Sequence, residues 1–348
     1  MRSSFLRSAA PWGVAFSFAA LVSIGSASCG QKGVVAAGGS ADTGGGGASG
    51  GTTVSGGAGG SGATGGGEPV KVMNWNLHNF FDKKKDTASP DEQVLSASAY
   101  SKKLGQVGTV IKAMDPDFAI MAECENKGIL DDLNTQELGS AYETAITETN
   151  DFRGLDIGVI SKVPIEKVVS HAADTFKRLD LAGSKTYTYS RDAVEVHLKI
   201  GGRSVILIGV HYRSKGDGSV ETDDKDKRAA EAQHSRLIAD ELAKADPTAA
   251  IVILGDFNDL PGSPPLAWSI AGDPANDPKV TFKDAADYVP EAERYTFVYQ
   301  GTKELIDHQI MNPVATKLID PSAVIIRHQT DVEDASDHYP LMATYMIK

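Results

Sequence analysis

Residues 250–259 read Ala-Ile-Val-Ile-Leu-Gly-Asp-Phe-Asn-Asp. The apolar run 250–254 is typical of a buried strand, and Gly255 ends it. Asp256, Asn258 and Asp259 follow immediately, so the strand delivers carboxylate and amide groups from its carboxyl end. Open α/β folds gather functional groups at strand ends of this kind.

Five other segments present carboxylate, amide or imidazole groups in a similar way. They are 70–77 with Asn76 followed by His78 and Asn79, 118–122 before Glu123 and Glu125, 205–210 before His211, Asp307-His308, and Ser336-Asp337-His338. This recurrence predicts one functional rim to which several strands contribute.

Two longer segments have the apolar spacing of amphipathic helices, 97–114 and 226–244, and a third helical stretch is expected over 129–138. The remaining apolar runs predict strands at 155–160, 193–200, 296–299, 304–310, 323–326 and 341–347. The mixed order of strands and helices indicates an α/β or α+β fold with a layered core. The many short strands late in the chain favour two sheets packed between helices.

The N-terminal segment has the composition of an export signal. Arg2 and Arg7 precede a mostly apolar or small stretch at 9–28, which predicts a secretory signal, with a retained anchor helix as the alternative. The run Ser26-Ala27-Ser28-Cys29-Gly30 resembles a bacterial lipobox, in which the cysteine is acylated after cleavage, although Ser26 stands where leucine is usual. Plain secretion is the other interpretation of this run.

A glycine-rich segment follows, and residues 38–67 hold 16 of the 36 glycines in the chain. Such a stretch has no apolar face to bury, so it predicts a disordered linker. We therefore expect a signal peptide with a lipidated Cys29 over 1–29, a Gly/Ser-rich linker over 30–67 and one large domain over 68–348. The protein is then expected to be an outer-membrane or cell-surface lipoprotein, or otherwise periplasmic or secreted. We expect a monomer that contacts the membrane only through its lipid.

The charge and the residue types restrict the chemistry. The net charge of −12 excludes a broadly polybasic nucleic-acid binder, but an acidic enzyme can act on a polyanion with the help of a divalent cation. Glu, Asp and Asn suit magnesium, manganese or calcium, whereas no Cys pair or HExxH motif indicates zinc. Histidines beside carboxylates suit proton transfer, and neither a nucleophile elbow nor a P-loop occurs. The combination predicts direct attack of water on a phosphate ester.

Taken in order, the motifs resemble those of the endonuclease/exonuclease/phosphatase superfamily, which includes deoxyribonuclease I, abasic-site exonucleases, inositol polyphosphate phosphatases and bacterial sphingomyelinases. The matching segments are 72–77, Ala122-Glu123, 153–159, Val210-His211, 255–258, 305–308 and 336–340. Segments 190–192 and 211–215 look most like secreted bacterial members described as nucleases. The resemblance implies a four-layer sandwich of two mixed β-sheets flanked by helices, and a catalytic domain over 68–348.

The resemblance also implies a set of metal ligands and phosphate contacts. Glu123 would be the main metal-binding carboxylate, with Asn76 beside it and Asp337 near the metal. Magnesium is the expected ion, with manganese or calcium as alternatives. Arg153, Arg213 and Lys215 are candidate phosphate contacts, and solvated loop charges are the other interpretation of these three.

The catalytic groups follow from the same resemblance. His338 would activate water or steady the phosphoryl oxygens, and Asp307 would orient it. Asp256 would assist proton transfer at the attacking or leaving oxygen, Asn258 would hold the phosphate, and His211 would be a second phosphate-directed group. Which group is base and which is acid stays open.

Three functions remain open at this point. The first is an extracytoplasmic nuclease that cuts DNA or RNA. The second is a phosphatase or phospholipase C-like hydrolase of small or lipid phosphoesters, as in the sphingomyelinase and inositol phosphatase branches. The third is a non-catalytic surface binding protein on the same fold. Asn76, Asp256 and Asn258 could in principle serve only as turn residues, and His78, His308, Glu125 and Asp259 as supporting or loop residues.

Overall fold

The computed structural model describes residues 67–215, 221–275 and 279–348. The expectations for residues 1–29, for Cys29 and, apart from Gly67, for the linker lie outside these ranges, so they stay predictions. Within the ranges no helix combines the length and the apolar character that crossing a membrane requires.

The strands and helices are named here in chain order. The strands are β1 (Glu68–Phe80), β2 (Phe118–Cys124), β3 (Glu143–Thr147), β4 (Asp156–Ser161), β5 (Ile165–Ser170), β6 (Phe176–Lys177), β7 (Thr186–Tyr187), β8 (Ala193–Ile200), β9 (Arg203–His211), β10 (Ala250–Asp256), β11 (Lys283–Asp284), β12 (Phe297–Tyr299), β13 (Thr302–Glu304), β14 (Asp307–Met311), β15 (Ile319–Ile326) and β16 (Leu341–Ile347). The α-helices are α1 (Ala97–Met114), α2 (Lys127–Asp132), α3 (Glu221–Ala245), α4 (Pro264–Ala271), α5 (Pro313–Thr316) and α6 (Thr330–Glu333). A π-helical turn spans Leu133–Glu137, and 3₁₀ turns span Ala285–Tyr288 and Glu291–Glu293.

Two six-stranded mixed sheets form the centre of the domain. The first has the order β15-β16-β1-β2-β4-β3, and the second has the order β11-β14-β10-β9-β8-β5. Each contains one parallel pair, β1 with β2 and β9 with β10, among antiparallel neighbours. The carboxyl ends of each parallel pair therefore lie at the same edge of their sheet.

The side chains of β10 show how the sheets are layered. Val252 and Leu254 belong to the core shared with the first sheet, while Ile251 and Ile253 pack in a second core that includes Ile238 of α3. This alternation buries both faces of the strand, as expected for a run with no polar residue.

Helices cover the outer faces of the two sheets. Tyr100 of α1 packs against Phe80 of the first sheet, with ring centroids 5.9 Å apart. Helix α3 contacts β10 and α4 beside the second sheet. The resulting four layers, with two mixed sheets flanked by helices, confirm the predicted fold class.

Two predicted elements differ in detail. The helix expected over 129–138 ends as α2 at Asp132 and continues as the π-helical turn, where the Asn134 amide exchanges two hydrogen bonds with the backbone of Tyr142. The strand expected over 304–310 is interrupted between β13 and β14. The strand is interrupted because the N–H groups of Ile306 and Asp307 both donate to Oγ1 of Thr296 rather than to a neighbouring strand.

Gly255 gives the backbone a conformation that other residues rarely adopt. Its φ is 136°, and a Cβ there would lie 2.1 Å from the carbonyl oxygen of Val210. We expect Gly255→Ala to lower the free energy of unfolding by about 3 kcal/mol or more, because strain and overlap add. Gly183→Ala is the matched control, since Gly183 has φ 75° and no atom within 4 Å of the added Cβ. It should cost about 1 kcal/mol. Urea unfolding measures both, and equal costs would contradict the steric argument.

Candidate active site

The ends of the two parallel strand pairs bring four predicted site residues together. Asn76 and Glu123 lie where the regular pairing of β1 with β2 ends, and His211 and Asp256 are register partners at the ends of β9 and β10. The site therefore lies where the carboxyl ends of strands from both sheets meet.

Asn76 joins the two carboxylates across the sheets. Its Nδ2 lies 3.0 Å from Oδ2 of Asp256 and 3.4 Å from Oε1 of Glu123, while its Oδ1 accepts a 2.9 Å hydrogen bond from the N–H of His78. The Asn76 side chain therefore stabilises the irregular part of β1 at His78 and also contacts the two carboxylates. Its service as a metal ligand stays a prediction.

Glu123 sits in an irregular part of β2. The pairing of β2 with β4 shifts between Ala122 and Cys124, and Glu123 has φ 61°. A bulge of this kind redirects a side chain, and here Oε2 of Glu123 accepts a 2.7 Å hydrogen bond from the N–H of Asn79.

Backbone strain is concentrated around this carboxylate. Seven non-glycine residues within the described ranges have positive φ, and four of them, His78, Asn79, Glu123 and Asn258, belong to the site segments. Non-glycine residues pay about 1–3 kcal/mol for such conformations, which persist where the surrounding structure holds them and cluster at functional sites.

His211 is a buried neighbour of both carboxylates. Its Nε2 lies 3.6 Å from Oδ2 of Asp256 and 3.9 Å from Oε1 of Glu123. Burial lowers the pKa of His211 well below its usual range, and Arg191 acts in the same direction. The imidazole is therefore neutral at physiological pH and can accept or donate a hydrogen bond without adding charge.

His338 and Asp307 form a buried pair on the other side of Asp256. Nδ1 of His338 lies 2.8 Å from Oδ2 of Asp307, and Nε2 lies 3.9 Å from Oδ2 of Asp256. Burial acts to lower the pKa of His338, but Asp307 and Asp256 outweigh it and raise this pKa to about 10. The site thus holds one imidazolium beside one neutral imidazole.

Asp256 is the carboxylate shared by these groups. Burial raises the pKa of Asp256 to about 7, and the charge of Asp307 acts in the same direction. Its Oδ1 accepts a 2.8 Å hydrogen bond from the N–H of Asn258, and the Asn258 amide donates to the carbonyl of Tyr212. A carboxyl group that titrates near neutral pH suits proton transfer.

The donor set fits a hard divalent cation. Glu123 and Asp256 face each other across Asn76, and within the described ranges no lysine or arginine is ion-paired with either carboxylate. Ligand atoms of Asp256, Asp307 and His338 also lie within 4.8 Å of one another, and Oδ1 of Asp307 is buried without a hydrogen-bond partner. Carboxylate and amide oxygens are the ligands that magnesium, manganese and calcium prefer, and Glu123 with Asn76 offers both.

Asp337 is placed differently from the other predicted ligands. Its side chain is 43% exposed, and Oδ1 lies 3.3 Å from Nδ1 of His78. It therefore pairs with an exposed residue in the last, irregular part of β1, and its role at a metal stays a prediction.

Lys103 of α1 is a supporting residue that the sequence did not indicate. Its Nζ lies 2.6 Å from the carbonyl oxygen of Leu77 and 2.5 Å from that of Ala335. It therefore ties the end of β1 to the segment that carries His338. Burial lowers the pKa of Lys103 to about 8. The sequence placed Lys103 on a predicted helix, but a position on a helix does not indicate hydrogen bonds to the carbonyl oxygens of Leu77 and Ala335.

A cavity of about 870 Å³ shares Asn79 with the site, since Asn79 lines the cavity and its N–H donates to Glu123. Four cationic side chains also line it, Arg153, Arg191, Arg213 and Lys227. Two carboxylates, Asp91 and Asp151, also line it, and Arg213 pairs with a third, Asp224, at 2.6 Å, so the four cations outnumber the three carboxylates by one. The ring of Phe152 is 64% exposed at the same cavity.

Two of the predicted phosphate contacts, Arg153 and Arg213, line this cavity, and Lys215 does not. Arg153 is 2.9 Å from Asp151 and donates to Oδ1 of Asn79 over 3.1 Å. Lys215 instead pairs with Glu304 at 2.7 Å and lines a separate cavity of about 340 Å³. Arg191, which the sequence placed only in a matching segment, is buried and pairs with the same Asp151 at 3.0 Å.

His308 lies next to Asp307 and is hydrogen-bonded to two other segments of the chain. Its Nδ1 lies 2.5 Å from Oδ2 of Asp284, and its Nε2 lies 3.2 Å from the carbonyl oxygen of Asp259. Full burial and these contacts fit the supporting interpretation of this histidine.

The family follows from a comparison with known sequences. The model of the Endonuclease/Exonuclease/phosphatase family matches residues 71–342. The chain belongs to this family. Membership confirms the predicted resemblance and implies a metal-dependent phosphoesterase. Curated proteins give no match to the chain.

Solved structures agree on the fold. An endonuclease/exonuclease/phosphatase from Bacteroides vulgatus is 17% identical, with a TM-score of 0.54 over 81% of this chain and 100% of that one. Truncated Caenorhabditis elegans TDP2 is 17% identical, with a TM-score of 0.51 over 80% and 97%. D. rerio TDP2 complexed with a single-strand DNA product is 12% identical, with a TM-score of 0.52 over 80% and 98%. These similarities support the deoxyribonuclease I-like fold.

Proposed function

We propose that the protein is an extracytoplasmic nuclease that hydrolyses phosphodiester bonds of DNA or RNA by activated water. The observation that carries this proposal is the cationic cavity that shares Asn79 with Glu123, because one scissile phosphate does not require four additional cationic side chains. A polymer offers further phosphates to such a surface, and its unstacked bases can pack on an exposed aromatic ring.

In the proposed reaction, Glu123, with Asn76 beside it, would hold a divalent cation. A bound divalent cation would supply Lewis-acid polarisation of a phosphoryl oxygen. His338, kept protonated by Asp307, donates a hydrogen bond to an oxygen on which negative charge develops. Asp256 assists proton transfer at the attacking or leaving oxygen. Asn258 positions the phosphate, and neutral His211 donates a hydrogen bond to it. The assignment of base and acid is left open.

Export and anchoring belong to the same proposal. A signal peptide, a lipid on Cys29 and a glycine-rich linker would hold the catalytic domain outside the cytoplasm, within reach of polymeric substrate. The domain would act as a monomer, and the lipid would be its only contact with the membrane.

The test compares substrates of different size at fixed magnesium. We expect a single-stranded oligonucleotide to be hydrolysed with a kcat/KM at least about 10-fold above that of a small phosphodiester, sphingomyelin or an inositol phosphate. Phe152→Ala should raise KM for the oligonucleotide by about 5- to 100-fold, since base stacking on an aromatic ring contributes about 1–3 kcal/mol. It should leave kcat/KM for the small diester unchanged.

Leu179→Ala is the control, because Leu179 is also half exposed but does not line this cavity. A preference for sphingomyelin or an inositol phosphate would favour the lipid or small-phosphoester branch. Inactivity with magnesium, manganese and calcium would favour a binding protein.

A further inference from the structure

A second group of carboxylates lies outside the candidate active site. Asp82, Asp86 and Glu125 each present an oxygen within 4.8 Å of the other two. Asp82 and Asp86 belong to the loop after β1, and Glu125 follows β2. Three negative charges at this spacing repel one another unless something compensates them.

Glu125 has an oxygen without a partner. The residue is 4% exposed, and its Oε1 is buried with no hydrogen bond, while its Oε2 accepts one from the N–H of Asp82. A buried carboxylate oxygen that lacks a partner costs free energy, so it indicates a missing ligand or counter-charge.

The nearby lysines do not supply that charge. Lys85 binds Glu92 and the carbonyl oxygen of Ser89, and Nζ of Lys83 lies 4.4 Å from the ring centroid of Tyr100. Within the described ranges, no ion pair joins a lysine or arginine to Asp82, Asp86 or Glu125. Among the described residues the cluster therefore has no lysine or arginine as a counter-charge, although the sequence between Asp82 and Asp86 is entirely lysine.

We propose that Asp82, Asp86 and Glu125 form a second cation site that binds calcium. Calcium takes carboxylate oxygens at about 2.3–2.6 Å in flexible geometry, so two of its ligands are at most about 5 Å apart. The carboxylate oxygens of the cluster, all within 4.8 Å of one another, meet this limit, and Glu125 is its buried member with one oxygen free of hydrogen bonds.

The position of the site gives it a structural task. The loop from Asp82 is closed by a 2.8 Å hydrogen bond from the N–H of Leu95 to the carbonyl oxygen of Asp82. Pro90, Asp91 and Gln93 of this loop line the cationic cavity. A calcium ion that joins Asp82 and Asp86 to Glu125 fixes this wall of the cavity to the first sheet.

The test is calorimetric titration of calcium into the purified protein, paired with thermal unfolding. Calcium should bind and raise the midpoint of unfolding, and Asp86→Asn and Glu125→Gln should each weaken its binding by at least about 10-fold. Asp86 is exposed, so we expect Asp86→Asn to leave the fold intact. This variant therefore tests the site even if Glu125→Gln does not fold.

Two further variants separate this site from others. Asp91→Asn removes a charge from the same loop outside the cluster, and Glu123→Gln disables the candidate active site. Both should bind calcium within about 3-fold of the affinity that the wild type shows for the cluster. Equal affinity in Asp86→Asn and the wild type would overturn the proposal, as would loss of all calcium binding in Glu123→Gln.

Discussion

His338→Ala should lower kcat/KM for an oligonucleotide by about 10²- to 10⁴-fold, the usual contribution of a positioned proton-transfer group. The imidazolium is held by Asp307 at 2.8 Å and faces Asp256 at 3.9 Å, so alanine removes the positive charge between two carboxylates. We expect most of the loss in kcat, because charge on the phosphoryl oxygens develops in the transition state.

His197→Ala is the matched control for this variant. His197 also pairs with a buried carboxylate, that of Glu195, but it lies on β8 away from the strand ends that form the site. The kcat/KM of His197→Ala for the oligonucleotide should stay within about 2-fold of the wild-type value. A His338→Ala enzyme that remains folded by circular dichroism and turns over near the wild-type rate would rule out the proposed role of His338.

Glu123→Gln should lower activity by about 10³-fold at fixed magnesium, since it removes the carboxylate that we propose as the main ligand of the cation. Glutamine keeps an oxygen that can accept the hydrogen bond from the N–H of Asn79, so the fold should be retained. The magnesium concentration for half-maximal rate should also rise. Chelation of divalent cations should bring the wild type to the same low rate.

Glu166→Gln serves as the control, because Glu166 is an exposed glutamate on β5. It should match wild type in rate and in magnesium dependence. Unchanged magnesium dependence in Glu123→Gln, or full wild-type activity after chelation, would remove Glu123 from the metal site.

The strands that deliver the site could be predicted because their apolar runs stop at polar residues. Asp256 and His211 follow uninterrupted buried strands, and the parallel pairing of β9 with β10 then makes them neighbours. The lengths of the strands and the polar residues that follow them are visible in the residue pattern, whereas the parallel pairing is seen only in the structure.

The bulge at Glu123 and its positive φ could not be predicted in this way. No residue pattern indicates that a glutamate will adopt a positive φ. The conformation of Glu123 accompanies the pairing shift in β2 and the hydrogen bond from the N–H of Asn79, and both are seen only in the folded chain. Lys103 and Arg191 were missed for a related reason. Their partners lie 232 and 40 residues away in sequence, at Ala335 and Asp151, and only the folded chain brings them together.

Asp337 and Lys215 have ion-pair partners that the order of the motifs does not indicate, and their predicted roles stay predictions. Each matches in sequence, but Asp337 pairs with His78 and Lys215 pairs with Glu304. Side-chain direction on a loop depends on local ion pairs that the order of motifs does not encode.

The most direct measurement is the initial rate at which the wild-type protein hydrolyses a single-stranded oligonucleotide in magnesium, beside Glu123→Gln and His338→Ala under the same conditions. The proposal predicts hydrolysis by the wild type and rates at least about 10²-fold lower in both folded variants. No hydrolysis by the wild type with magnesium, manganese or calcium, or equal rates in all three proteins, would contradict it.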